Sequence, residues 1–114
     1  MERIVRQGLL YDFYGVLLTE HQRKIYEDVV FNDLSISEIA REEGISRQGV
    51  HDLVRRCDKI LESYEARLGL VEKFEKTKES VRDIHQMIQE YQRSQDQSLI
   101  EKIEAAAVKI LELS

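Results

Sequence analysis

The side chains with the clearest chemical use in this sequence are Ser46, Arg47, Gln48, His51, Arg55 and Arg56. Arginine can donate two parallel hydrogen bonds to the edge of a guanine, and a glutamine amide can bond adenine, both in the major groove of duplex DNA. Later arginines and a serine hydroxyl suit backbone phosphates, which fix position without reading sequence. His51 lies one turn after Arg47 and reaches toward a base or a phosphate. This stretch is locally positive in an acidic chain, although Asp52 within it repels phosphate and Gly49 offers no side-chain contact.

Other reactive residue types do not converge. Glu42-Glu43 and Glu27-Asp28 are adjacent carboxylates. Neighbours on a helix point about 100° apart, so solvated surface is the expected role rather than acid/base catalysis. Cys57 falls on an apolar stripe with no histidine one turn away to activate it, which makes it a small buried hydrophobe. His21, His51 and His85 are scattered and form no metal-ligand spacing with that cysteine, and a lone cysteine forms no internal disulfide. Tyr11, Phe13, Tyr14 and Tyr26 fit helical core packing better than stacking on unpaired bases. No glycine-rich phosphate loop, zinc signature or nucleophile elbow is present, so neither catalysis nor a cofactor is expected.

The elements that must position the candidate contacts read as helices throughout. With no Pro and only five Gly, apolar residues recur at helical spacing along nearly the whole chain. Ile4, Val5, Leu9, Phe13, Tyr14 and Leu17 mark a first helix weakened by Gly8 and Gly15. Thr19-Glu20-His21-Gln22 matches a capping box that opens a second helix running to about Asn32, with Ile25, Val29 and Val30 inward. Ser35-Ile36-Ser37-Glu38 offers another box for a two-turn third helix, which Gly44 ends. Ser46 then caps a longer fourth helix with Val50, Leu53, Val54, Cys57, Ile60, Leu61, Tyr64, Leu68 and Val71 as its stripe. That pattern continues to Tyr91, and one unbroken rod over 46–92 would measure roughly 70 Å at 1.5 Å per residue. Such a rod either breaks near Gly69 into two helices that fold back or extends and buries its stripe against another subunit, and the glycine favours the break. A polar stretch over 94–98 precedes a last helix from Leu99 to Leu111.

The short third helix, the glycine turn and the polar-capped fourth helix together have the form of a helix-turn-helix over residues 35–57. In that form Ile36, Ile39 and Ala40 face Val50, Leu53 and Val54, and the small Ala40 lets the helices approach closely. Residues 1–68 are expected to form this DNA-binding-like domain, and 69–114 a C-terminal helical extension that serves oligomerisation. The heptad-like stripe of the fourth helix suits a helix seam, and a homodimer would set two reading helices roughly 34 Å apart on one face of DNA.

Length and charge bound the rest. The chain has 114 residues, 17 Lys plus Arg against 22 Asp plus Glu, and a net charge of -5. At 42% hydrophobic and 34% charged it is too apolar for a disordered chain, and it has no apolar run long enough to insert in a membrane. Its start lacks the apolar core of a secretory signal, so the cytoplasm is the expected compartment. The acidic balance argues against coating nucleic acid nonspecifically and leaves a localised basic element as the contact.

The segments Leu18–Tyr26 and Leu34–Val50 resemble region four of bacterial sigma factors, which reads the promoter -35 element through its second helix. The length, the C-terminal helices and the Ser46–Asp52 segment make the chain more similar still to the YlxM family of small bacterial helix-turn-helix proteins. That family commonly carries Ala where this chain has Gly49, and often an aromatic where it has His51. The resemblance implies an all-α, sigma region four-like bundle, in a protein encoded beside signal recognition particle genes and regulating or assisting that pathway. It does not extend to a full sigma factor, since the chain has no room for the other promoter- and polymerase-binding regions. The expectation is thus a DNA-binding regulator, with a helical adaptor for a protein or ribonucleoprotein component of the same pathway as the alternative.

Overall fold

A computed structural model describes residues 2–113. It is all-α, with helices α1 (Arg3–Tyr14), α2 (Glu20–Val30), α3 (Ile36–Glu43), α4 (Arg47–Leu68), α5 (Leu70–Ser94) and α6 (Ser98–Leu113). The chain divides into two compact units, Met1–Gly69 and Leu70–Ser114.

In the first unit α1 stops earlier than its apolar pattern suggests. A 3-10 turn over Gly15–Leu17 replaces its last turn and leaves Leu17 half exposed, while Leu18 is buried. Thr19 then caps α2 with both halves of the expected box: Gln22 N–H donates to Thr19 Oγ1 at 3.1 Å, and Thr19 N–H donates to Gln22 Oε1 at 3.0 Å. At α3 only the forward half forms, with Glu38 N–H donating to Ser35 Oγ at 3.5 Å. Helix α2 ends at Val30, and Asp33 adopts a left-handed backbone in the turn that follows.

Ile25, Ile39, Ala40 and Val50 form a buried cluster, with Val29, Ile36 and Leu53 packed against it. This is the predicted face-to-face packing of the third and fourth helices except that Val54, though buried, lies outside the cluster, and α2 supplies Ile25. Burying the isoleucine and valine side chains contributes roughly 1.5–3 kcal/mol each. Val29 and Val30, expected inside, are only half buried; Tyr26 takes the interior place instead and is fully enclosed. Its position makes sense in hydrogen-bonding terms, because its hydroxyl donates to Asp58 Oδ1 on α4 at 2.6 Å. Further polar ties hold α1 along α4: Arg6 is bidentate to Glu62 at 2.6 and 2.7 Å, and Tyr14 donates to Glu65 at 2.6 Å.

Gly69 ends α4 in the left-handed region, at φ 64°, so the long rod is broken where the sequence suggests. Leu68, counted in the apolar stripe, is more than half exposed; the stripe's inner members are Val50, Val54, Cys57 and Leu61.

The second unit is a helical hairpin in which residues 95–97 join α5 to α6. Gln95 takes a left-handed backbone, and Asp96 Oδ1 accepts from the Ser98 N–H at 3.0 Å and its hydroxyl at 2.7 Å, capping α6. Val71, Ser80, Leu99 and Ala106 are buried, whereas Val81, Ile88, Ile100 and Leu111 remain exposed.

Candidate nucleic-acid interface

The candidate contacts sit where a turn and a cap present them. Gly44 adopts φ 68°, and the Ile45 N–H reaches back to the Ala40 carbonyl at 3.0 Å while Gly44 N–H bonds the Arg41 carbonyl at 3.4 Å. This paired closure stops α3 sharply and requires the left-handed conformation that glycine adopts without a Cβ penalty. Two residues later Ser46 Oγ accepts the Gly49 N–H at 2.9 Å and opens α4. The Ser46 hydroxyl proton stays available to donate outward. At Gly49 an added Cβ would lie 3.2 Å from Ser46 Oγ, so a larger residue there requires the cap oxygen to give by a few tenths of an ångström.

Ser46, Arg47, Gln48, His51, Arg55 and Arg56 are all exposed. They do not form one equivalent set. Asp52 ties two of them down: it accepts from Gln48 Nε2 at 3.0 Å and lies 3.8 Å from the Arg55 guanidinium. Arg47 and Arg56 have no ion pair among the described residues. His51 and Arg55 line a common groove that Arg56, roughly 100° further round the helix, does not share.

The neighbouring α2–α3 corner differs from the reading of Glu42-Glu43 as a solvated pair. Glu42 is exposed, but Glu43 accepts from Lys24 at 3.3 Å and bonds His21 Nε2 at 3.1 Å. Those partners, Lys24 first, hold its carboxyl below the usual glutamate range. The Glu43 side chain is only 16% exposed, so this is a bridge from α3 to α2 rather than free surface. No local pattern announces it, because its partners belong to the preceding helix. Arg3, which no motif marks, likewise reaches the groove beside His51 and Arg55 only through the packing of α1 on α4.

Cys57 is fully buried, and burial followed by the neighbouring Asp58 pushes its thiol up to about 11. It is a packing residue and not a nucleophile. Among the described residues no group of three His, Cys, Asp or Glu side chains is placed to hold a metal ion, and no helix is long and apolar enough to cross a membrane.

Helices joined by a left-handed glycine turn, with a polar-capped second helix exposing basic and amide side chains, define a protein of the helix-turn-helix class. The model of family UPF0122, described as "Putative helix-turn-helix protein, YlxM / p13 like", matches residues 1–106, and the chain belongs to that family. It is similar to a UPF0122 protein of Desulforamulus reducens, with 37% identity across 98% of this chain and 96% of the relative. A UPF0122 protein of Thermoanaerobacter sp. strain X514 shares 41% identity over 93% of this chain and 92% of its own length. One from Caldanaerobacter subterraneus subsp. tengcongensis shares 48% over 70% of this chain and 68% of its own. The family is described by its helix-turn-helix and not by an enzymatic activity.

Proposed function

We propose that this chain is a cytoplasmic DNA-binding regulatory protein whose α4 enters a major groove. The observation that carries the reading is the exposure of Ser46, Arg47, Gln48, His51, Arg55 and Arg56 along the first turns of a helix that a capped glycine turn holds in place. Arg47 and Gln48 read base edges, and Ser46, Arg55 and Arg56 contact phosphates. The second unit organises a homodimer, a role supported by the large apolar side chains it leaves exposed, Val81, Ile88, Ile100 and Leu111. Dimerisation offsets the thin recognition surface by engaging two half-sites.

A second reading is a helical adaptor for a protein or ribonucleoprotein component of the signal recognition particle pathway. It is supported by the net charge of -5 and by the hold of Asp52 on Gln48 and Arg55. The test is selection of duplexes by the purified chain from a random-sequence pool, followed by sequencing. Enrichment of a short shared sequence supports the regulator. Recovered duplexes indistinguishable from the input overturn it in favour of the adaptor.

A further inference from the structure

At one end of the first unit, between the start of α1, the turn after α2 and the exposed side of α4, lies an open groove of about 600 Å³. Ile4 and Val54 contribute apolar surface to it, and Arg3, His51 and Arg55 contribute cationic or ring-nitrogen groups, with Asp33 as a carboxylate in the lining. Arg3 arrives from the far end of the sequence. It is brought there by α1, which the Arg6–Glu62 and Gln7–Asp58 bonds hold against α4.

The two arginines of that part of α1 are committed very differently. Arg6 spends its guanidinium on a bidentate pair with Glu62 at 2.6 and 2.7 Å. Arg3 makes one long pair, 3.5 Å to Asp58, and its side chain is 78% exposed. Asp58 also accepts from Tyr26 at 2.6 Å and from Gln7 at 3.1 Å, so it stays satisfied when Arg3 swings away. Asp58 stands three residues after Arg55, which makes the two neighbours on the helix surface and sets Arg3 one turn from Arg55.

The spacing along α4 matches a DNA groove. Arg47 to Arg55 covers about 12 Å at 1.5 Å per residue. The major groove is about 12 Å wide. With Arg47 and Gln48 at base edges on the floor of a groove about 8.5 Å deep, Arg55, about 12 Å further along the helix, lies at the level of the bordering strand. We infer that Arg3 is a further phosphate-contacting residue, closing with Arg55 and His51 on the sugar-phosphate strand that flanks the bases read by α4. The half-exposed side chain of Ile4 meets the deoxyribose, and Asp33 weakens the grip. This inference rests on the DNA-binding reading above.

The test is the salt dependence of binding, by fluorescence anisotropy, for the full chain on one selected duplex and one unrelated duplex of equal length. Parent, Arg3→Gln, Arg6→Gln and Asp33→Asn are compared, with circular dichroism melts to verify folding. Arg3→Gln is expected to flatten the log affinity against log salt slope by about 0.9 on both duplexes. Arg6→Gln is expected to lower the melting midpoint and leave the slope unchanged, and Asp33→Asn to tighten both duplexes about twofold. A parent slope retained by Arg3→Gln, or equal flattening by Arg6→Gln, overturns the inference while DNA binding stands. A parent that binds neither duplex overturns both.

Discussion

Asp52 acts as a brake on the proposed interface, and its removal tests the reasoning most directly. In Asp52→Ala, Gln48 loses a 3.0 Å hydrogen bond that must otherwise break before its amide can meet a base. Such a pair on a helix surface contributes roughly 0.2–0.5 kcal/mol. Arg55 loses an ion pair at 3.8 Å whose side chains are 64% and 49% exposed, a contribution of roughly 0.3 kcal/mol after solvent screening. Repulsion between a carboxylate and a phosphate about 7 Å away is about 0.6 kcal/mol in water and about half that or less at physiological salt. Together these terms favour binding by about 1 kcal/mol, or roughly fivefold tighter dissociation constants. Stability changes little, because alanine's better helix propensity, roughly 0.5 kcal/mol, offsets the lost pairs. Fluorescence anisotropy on a selected duplex at fixed salt measures the gain, and thermal melts check the fold. Unchanged binding refutes the brake. Weaker binding refutes it differently, since it means that the carboxylate accepts a hydrogen bond from cytosine.

Arg47→Ala is expected to weaken a selected duplex by about 1–3 kcal/mol and to relax one base position, whereas Arg55→Ala weakens all duplexes evenly and flattens the salt slope by about one unit. Glu42→Lys adds attraction for phosphate at no structural cost; Glu43→Lys breaks the bridge to Lys24 and His21, so its melting midpoint falls and its affinity gain is smaller. Tyr26→Phe removes a buried hydroxyl from Asp58 and costs roughly 1–2 kcal/mol in urea unfolding, at the lower end for a charged bond because Asp58 keeps Gln7. Its dissociation constant for DNA should not move. Glu43 and Glu62 both have carboxyls held below the usual range, by Lys24 with His21 and by Arg6. Their contribution is therefore complete above the unfolded value and lost as pH falls through the lower folded value. Urea midpoints of Glu43→Gln/Glu62→Gln should fall less steeply than the parent's between neutral and acid pH.

Much of this fold is written in local signals that depend on neighbours a few residues away. The Thr19–Gln22 box, the Ser46 cap, Gly44 and Gly69 each set a helix boundary through backbone bonds within one turn. The apolar period likewise predicted that Ile39 and Ala40 meet Val50, since a helix pair joined by so short a turn has few ways to bury both stripes. The end of α1 was less legible: Gly15 and Leu17 satisfy a helical pattern, yet the backbone tightens into a 3-10 turn to bury Leu18 and start α2.

The helices, their caps and the row of polar and basic side chains at the start of α4 follow from propensity and spacing along single elements. The hold of Asp52 on Gln48 and Arg55, at i,i+4 and i,i+3 spacing, is local to α4. Packing decides the contacts between helices. Glu43 becomes a bridge, Tyr26 moves to the interior and Arg3 joins the groove of His51 and Arg55 because helices remote in sequence are packed side by side. Charge and hydrogen bonding act over a few ångströms in space, and that distance is set by packing rather than by position along the chain.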